Sequence, residues 1–166
     1  MTAQIYVGTY AKYNNGSIAG AWLSLDEHDT AETFDAAARK LHKREHDPEL
    51  MFQDYEGFPS EFYGESYLDE RLWEWLALSK TDQEIVEAWL DENGGSDSIE
   101  YITECYMGHA SSWREYVEEY IESTGMLSDI PDQIAQYFDY EAYGNDLAHD
   151  YTVVETTGGV HVFRNC

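Results

Sequence analysis

The sequence predicts an α+β protein assembled from small modules, and three observations support this fold class. First, segments rich in β-branched and aromatic residues lie near both ends of the chain, beside turn residues, as in β-hairpins. Second, apolar residues between them recur at helical spacing behind residues that cap helices. Third, hydrophobic residues make up 43% and aromatic residues 15% of the 166 residues, which is enough for a core and argues against disorder.

The N-terminal part is expected to form a β-hairpin followed by a helix and a strand. Residues 5–10 and 18–25 have strand composition, and residues 13–16 between them are a turn sequence, Tyr-Asn-Asn-Gly. The Asp and Glu at positions 29 and 32 have the spacing of a capping box for a helix that reaches about residue 45. A third strand should follow at residues 50–55. The helix face predicted to be buried carries Phe34, Ala37, Ala38 and Leu41.

The central part is expected to be helical. Thr81 and Glu84 have the spacing of a capping box, and the helix behind them should end at a pair of glycines, Gly94 and Gly95. Either Ser96 or Ser98 can cap the next helix, whose apolar positions include Ile99, Ile102 and Tyr106.

The C-terminal part should combine helices with a closing hairpin. Ser112 and Glu115 form a candidate capping box, and Gly125 is placed to end that helix. Residues 151–164 read as two strands around a Thr-Gly-Gly turn. The modules predicted in this way span residues 1–60 (β-hairpin, helix and strand), 61–104 (helical) and 105–166 (helices plus β-hairpin).

The cysteines and the apolar segments favour a cytoplasmic protein. Cys105 and Cys166 are far apart and do not make a disulfide framework, so we expect two reduced thiols. No stretch approaches the roughly 18 apolar residues of a transmembrane helix. The N-terminus has no basic segment followed by an apolar block, so no secretory signal is expected.

The sequence contains no convincing catalytic or metal motif. His42 and His46 are spaced for zinc on a helix but lack a His-Glu-x-x-His pattern, and a solvated basic helix face explains them better. Cys105 and His109 are more simply a buried thiol and a surface histidine, since the neighbouring glutamates would raise the thiol pKa. We therefore expect no enzyme, no cofactor and no metal.

The charge is the most unusual property of the chain. Thirty-four Asp and Glu face nine Lys and Arg, a formal charge of −25, and residues 81–155 hold nineteen acids against one base, Arg114. Such a surface disfavours nucleic acid and anionic membranes as partners and favours proteins with a large basic face. At the duplex DNA density of one charge per roughly 1.7 Å, twenty-five charges extend over about 43 Å, or about 13 base pairs. An elongated chain of small modules could match that density.

Three segments resemble the ArdA-type antirestriction proteins of mobile genetic elements. They are residues 5–22 (IYVGTYAKYNNGSIAGAW), 124–131 (TGMLSDIP) and 137–147 (YFDYEAYGNDL). The resemblance implies an elongated three-module fold, a two-fold homodimer, and mimicry of bent B-form DNA that blocks the DNA-binding groove of type I restriction-modification enzymes. The basic patch at Arg39, Lys40, Lys43 and Arg44 departs from a purely DNA-like surface.

The methyltransferase core of such an enzyme is the expected partner, and the acids of the central and C-terminal parts are the expected contact residues. An acidic adaptor for another basic DNA-binding protein and an ordinary enzyme of a halophile remain alternatives. The acids assigned to DNA mimicry are Asp69, Glu70, Glu74, Asp82, Glu84, Glu87, Asp91, Glu92, Asp97, Glu100, Glu104, Glu115, Glu118, Glu119, Glu122, Asp129, Asp132, Asp139, Glu141 and Asp146.

Overall fold

The computed structural model describes residues 2–166 and has a mixed α+β fold. It contains two antiparallel sheets of three strands each. The chain divides into two compact units, Met1–Gln83 and Glu84–Cys166, and each unit contains one sheet. The predicted α+β class is confirmed, whereas the division into three modules remains a prediction. Within residues 2–166, no helix is long and apolar enough to cross a bilayer.

The first unit is organised around a sheet with strand order β2-β1-β3. Its strands are β1 (Gln4–Thr9), β2 (Ala21–Ser24) and β3 (Leu50–Glu56), and β1 pairs antiparallel with both neighbours. The predicted hairpin of β1 and β2 is therefore confirmed. Its connection is longer than a turn, because the short helix α1 (Tyr10–Asn14) begins directly after β1 and is capped by the hydroxyl of Thr9.

Helix α2 (Ala31–Leu41) is capped by Thr30, so the capping box predicted for Asp29 and Glu32 is wrong. The Thr30 hydroxyl accepts the backbone N–H of Thr33 at 3.3 Å, and the Thr33 hydroxyl accepts the N–H of Thr30 at 3.3 Å. These reciprocal bonds satisfy two of the donors that a helix N-terminus leaves free. Thr30 and Thr33 therefore form the capping box that was predicted for Asp29 and Glu32.

The end of α2 also differs from the expected helix face. Phe34 is buried, as the pattern predicted, and its ring centroid lies 6.1 Å from that of Phe52 in β3. Leu41, however, is 43% exposed, and His42 beside it is 3% exposed. The chain leaves the helix at His42, whose Nε2 donates to the carbonyl oxygen of Val7 at 3.2 Å. The prediction of a solvated His42 is wrong, because the sheet offers this ring a buried acceptor.

The rest of the first core comes from the segment behind β3. A 3₁₀ turn (Ser60–Phe62) buries Phe62, and helix α3 (Arg71–Leu76) buries Leu72 and Trp75 at i and i+3. The ring centroids of Phe62 and Trp75 are 6.3 Å apart. Aromatic packing therefore contributes much of the apolar contact in this unit.

Helix α4 (Lys80–Asn93) contains the boundary between the two units, directly after Gln83. It begins earlier than predicted, because Ser79 caps it. The Ser79 hydroxyl accepts the N–H of Asp82 at 3.2 Å and donates to the Asp82 carboxylate at 2.7 Å. The predicted capping box beginning at Thr81 is therefore wrong.

The second unit combines helices with three strands, β4 (Tyr106–Ala110), β5 (Tyr151–Thr156) and β6 (Gly159–Arg164), in the sheet order β4-β6-β5. The predicted closing hairpin is confirmed, and so is the helix that Ser112 caps and Gly125 ends with φ 65°. The predicted capping box forms only in part, because the Glu115 carboxylate accepts the N–H of Ser111 rather than that of Ser112. Strand β4 was not predicted, because the preceding helix was expected to continue through Tyr106. The helices of this unit after α4 are α5 (Ile99–Cys105), α6 (Trp113–Thr124), α7 (Asp132–Ala135) and α8 (Tyr140–Leu147).

The central strand β6 forms the middle of the second core. Val160 and Val162 are buried with Ala110 of β4, and Trp113 and Tyr116 of α6 pack against them. The rings of Trp113 and Tyr116 are stacked with centroids 5.5 Å apart. The helices thus bury their aromatic residues on the sheet, which leaves their other faces to the acids.

Cys105 and Cys166 are joined by a disulfide bond, so the prediction of two reduced thiols is wrong. The antiparallel pairing of β4 with β6 places Tyr106 opposite Phe163 and brings the end of α5 to the C-terminal residue. Cys105 is buried and Cys166 is exposed. The sequence did not indicate this contact, because 61 positions separate the two cysteines and β4 was not recognised.

Replacing Cys166 by serine is expected to lower the free energy of unfolding by about 2–4 kcal/mol, because the bond restricts the unfolded chain. Urea unfolding of the wild type and Cys166→Ser, each with and without reductant, measures this. Reductant should destabilise the wild type and leave Cys166→Ser unchanged. A wild-type midpoint that is the same in both buffers would contradict the expected contribution.

Candidate functional site

Negative charge is concentrated in the second unit. Its eighteen Asp and Glu residues are accompanied by two bases, Arg114 and Arg164, which gives a formal charge of −16. The first unit holds sixteen acids and seven bases, a formal charge of −9. The units are equally long, so the second has the denser charge and is the main candidate for a functional surface.

Helix α4 separates apolar and acidic residues by face. In its part belonging to the second unit, the buried residues are Ile85, Val86, Ala88, Trp89 and Leu90. The predicted acids on this stretch are all exposed, namely Glu84, Glu87, Asp91 and Glu92. Burial of the apolar stripe therefore fixes which way these carboxylates point.

The same separation occurs on α5 and α6. Helix α5 buries Ile102 and Cys105, and α6 buries Val117 and Ile121. The acids of these two helices lie outside, and every one of them is exposed: Glu100, Glu104, Glu115, Glu118, Glu119 and Glu122. The remaining predicted acids of this unit, around α7 and α8, are exposed as well: Asp129, Asp132, Asp139, Glu141 and Asp146.

Three of the twenty predicted acids are only partly exposed, and each has a local partner. Asp82 bonds Ser79 at the start of α4. The Asp97 carboxylate accepts the indole N–H of Trp89 at 2.9 Å. Asp69 accepts from two guanidinium nitrogens of Arg71, at 2.9 and 2.7 Å. These three carboxylates therefore have structural roles besides any contact with a partner.

Two exposed carboxylates on α6 are also held by neighbours. Glu115 accepts the backbone N–H of Ser111 at 2.8 Å and a short bond from the Ser111 hydroxyl, and these bonds lower the pKa of Glu115. Glu118 forms an ion pair with Arg114 at 2.8 Å. In contrast, no hydrogen bond or ion pair to the carboxylate of Glu119 occurs within residues 2–166. Of the four α6 acids, only Glu118 is thus paired with a base.

The basic patch of the first unit is partly neutralised inside that unit. Arg39 forms ion pairs with Asp35 at 2.7 Å and with Asp47 at 3.3 Å. Hydrogen bonding and attraction by Asp35 raise the pKa of Arg39. Outside the patch, Lys12 pairs with Glu45 at 3.2 Å. Lys40, Lys43 and Arg44 are exposed.

Two other kinds of site were considered from the sequence, a cysteine nucleophile at Cys105 and a metal site. Cys105 is bound in the disulfide, so it is not a free nucleophile beside His109. The ring centroids of His109 and His161 are 5.0 Å apart. Burial of His161 is the main cause that lowers its pKa, and repulsion from His109 lowers it further. Among residues 2–166, no three His, Cys, Asp or Glu residues are grouped to hold a metal ion.

Two further acids of the second unit, Asp150 and Glu155, are exposed but are not among the residues assigned to DNA mimicry. Asp150 precedes β5, and Glu155 lies near its end. Both belong to the acid-rich run of residues 81–155, so the charge count already contained the signal.

Asp69→Asn is expected to reduce stability by about 1 kcal/mol at pH 7, because it breaks a partly exposed ion pair. Hydrogen bonding from Arg71 lowers the folded-state pKa of Asp69, below the unfolded value of about 3.9. Its contribution is therefore complete above that value and is lost as the pH falls through the folded-state pKa. Urea unfolding at pH 7 and about pH 3 should show a difference that shrinks in acid.

Asp26→Asn is the matched control, because Asp26 is an exposed carboxylate of the same unit. It should change stability little at either pH. An effect of Asp69→Asn that is equally large at both pH values would show that ionisation of Asp69 does not produce it.

Comparison with known proteins places this acidic chain in a family. The chain matches the family described as Antirestriction protein (ArdA) over residues 5–162. The match begins in β1, ends in β6 and takes in both compact units. None of the curated proteins matches the chain. Because nearly the whole sequence is covered, the chain belongs to the ArdA family of antirestriction proteins.

Proposed function

We propose that this protein inhibits type I restriction-modification enzymes by occupying the groove that normally holds DNA. Membership of the ArdA family implies an antirestriction function, which makes restriction-modification enzymes the kind of partner to consider. The finer proposal concerns how inhibition is achieved. In this proposal, carboxylates of the protein stand in for DNA phosphates at the contact. Incoming DNA, such as that of a mobile genetic element, is protected because the enzyme is blocked.

The observation on which the proposal depends is the exposure of the assigned acids. Seventeen of the twenty are exposed and the other three are partly exposed. Sixteen belong to the second unit, whose formal charge is −16. Carboxylates that are exposed and mostly not offset by bases can face the Lys and Arg side chains that a DNA-binding groove presents to phosphates.

Two physical effects would favour this association. Opposite potentials on the two proteins accelerate encounter, and the effect weakens with ionic strength. The spacing of many carboxylates then gives selectivity for a groove built to follow a phosphate backbone. Asp69 and Glu118 should matter least, because Arg71 and Arg114 already offset their charge.

Inhibition by occupancy needs no chemical step, and the proposal assigns no catalytic residue and no cofactor. The partner is the methyltransferase core, since that part of the enzyme recognises DNA. The protein and the DNA should exclude each other from it. Inhibition should therefore be competitive with DNA and reversible.

Each exposed charge contact is expected to contribute up to about 1 kcal/mol. Neutralising one exposed acid should therefore weaken competition with DNA by less than about fivefold. Neutralising six together should weaken it by about 100-fold or more. The measurement is displacement of labelled cognate DNA from a type I methyltransferase core. The six acids, exchanged for Asn or Gln, are Asp91, Glu92, Glu100, Glu104, Glu119 and Glu122.

A control of equal charge uses six acids of the first unit that the proposal does not assign. It should retain nearly full competition. If the wild type at saturation leaves DNA bound to the core, or if both sextuple variants compete as well as the wild type, DNA mimicry by the second unit is wrong. The control acids are Asp26, Glu27, Asp29, Glu32, Glu49 and Glu61.

We also propose that the active species is a homodimer formed through the segment between α6 and α8. This segment exposes a run of apolar side chains, with Ile134 62% and Tyr137 81% exposed, together with Met126 and Ile130. Exposed apolar side chains of this kind are common at protein interfaces. In a strongly acidic protein, apolar burial is the contact best able to bring two like-charged copies together.

The double variant Ile134→Ser with Tyr137→Ser should shift the protein towards the monomer, as measured by sedimentation at tens of micromolar in moderate salt. The wild-type dimer should also weaken when salt is lowered, because screening between like charges is lost. Tyr67→Ser is the control, since Tyr67 is a 63% exposed aromatic residue of the first unit. A wild type that is strictly monomeric under these conditions would refute the dimer.

A further inference from the structure

The first unit contains an aromatic cavity to which the proposed function assigns no role. Its volume is about 620 Å³, within the range of roughly 300–1,000 Å³ that is typical of ligand pockets. Aromatic side chains, including Tyr6, Trp22 and Tyr63, form much of its wall, and Gln53, Asp54 and Glu65 add polar groups. No Lys or Arg is among the residues that line it. The cavity therefore combines aromatic faces with negative charge.

The aromatic walls are held in place by hydrogen bonds and ring contacts within the unit. Tyr6 of β1 lies opposite Trp22 of β2, with ring centroids 5.6 Å apart at 73°. The Tyr6 hydroxyl donates to the carbonyl of Ile18 at 3.0 Å and accepts the N–H of Gly20 at 3.1 Å. The Tyr63 hydroxyl donates to a carbonyl of β3 at 2.6 Å. These phenols are bonded within the fold, and Tyr55 stacks on one face of Tyr63 with ring centroids 4.3 Å apart. A ligand would therefore meet the parts of the rings that these contacts leave uncovered.

The side-chain oxygen of Gln53 is a hydrogen-bond acceptor that lacks a donor within residues 2–166. The pairing of β1 with β3 shifts register between Tyr6 and Val7, so that Gln53 has no residue opposite it. Such a bulge re-aims the side chain. The side-chain amide of Gln53 lies over Gly8, where an added Cβ would come within 2.8 Å of the Gln53 Oε1 atom. This Oε1 is buried and has no hydrogen-bond partner among the described residues. A donor supplied by a ligand would remove the cost of that unpaired group.

Two carboxylates complete the site. Asp54 and Glu65 are both exposed, and each accepts one hydrogen bond within the unit. Glu65 accepts from the Tyr10 hydroxyl at 2.9 Å, and this bond raises the pKa of Tyr10. A cation in the cavity would therefore meet negative charge at the rim and aromatic faces inside.

We propose that this cavity binds an arginine side chain of a basic partner protein. A guanidinium is planar, stacks on aromatic rings and donates in several directions, so its plane can contact a ring while its N–H groups pair with the carboxylates. It can also bond Gln53 Oε1 once that amide turns from Gly8 towards the cavity. A lysine ammonium has the charge but lacks the planar fork. Identifying the source as a basic protein rests on the proposed function, because DNA-binding proteins present many arginines. Recognition of the guanidinium itself does not rest on it.

The first test is a titration of the ¹⁵N-labelled protein with N-acetyl-argininamide, followed by NMR. The arginine probe should cause saturable shifts of the Trp22 indole N–H and of backbone amides in β1 and β3. N-acetyl-lysinamide should bind at least about threefold more weakly, and N-acetyl-citrullinamide, which lacks the charge, should cause no saturable shift. Equal shifts with all three probes, or none with the arginine probe, would overturn the proposal.

Variants locate the binding. Asp54→Asn with Glu65→Gln should raise the dissociation constant for the arginine probe about five- to tenfold. Gln53→Leu should raise it about fivefold, because the buried acceptor is lost. Glu27→Gln with Glu32→Gln removes the same charge from exposed positions outside the cavity and should leave binding nearly unchanged.

Well-dispersed spectra of the variants show that they are folded. Wild-type affinity in both cavity variants, or an equal loss in the control, would overturn the proposal. Because no restriction enzyme is present in this titration, its result is separate from the competition between the protein and DNA.

Discussion

Apolar burial has to hold each unit together against the mutual repulsion of its own carboxylates. The constraint is greatest in the second unit, where a formal charge of −16 surrounds a core of valines and aromatic rings. Its helices meet the constraint by dividing their surfaces, with Val117 and Ile121 inside α6 and the glutamates outside. The same pattern that stabilises the unit therefore also produces its acidic exterior.

The two units handle charge differently. In the first, bases lie near acids, and Arg39 and Lys12 form local ion pairs that limit the open charge. In the second, Arg114 pairs with Glu118, and most assigned acids have no base within reach. This contrast explains why the proposed DNA mimicry centres on the second unit, and why the first unit can offer a different kind of contact through its aromatic cavity.

Local sequence patterns predicted much of the fold, because hairpins and helix faces depend on neighbouring residues. The helix from Ser112 to Gly125 and the hairpin of β5 and β6 are of this kind. Strand β4 and the disulfide depend on contacts between distant segments, which periodicity cannot show. The exposure of the acids could be predicted from their polarity. The cavity could not be predicted, because the bulge at Gln53 arises only when β1 and β3 pair.

The central claim is that an open array of carboxylates replaces DNA phosphates in the partner's groove. The salt dependence of the affinity between this protein and a type I methyltransferase core tests it most directly. The account predicts that the association constant falls by at least about tenfold between 50 and 200 mM salt, and that the sextuple variant of the second unit has a shallower dependence. An affinity that is independent of salt, and equal in wild type and variant, would contradict the account.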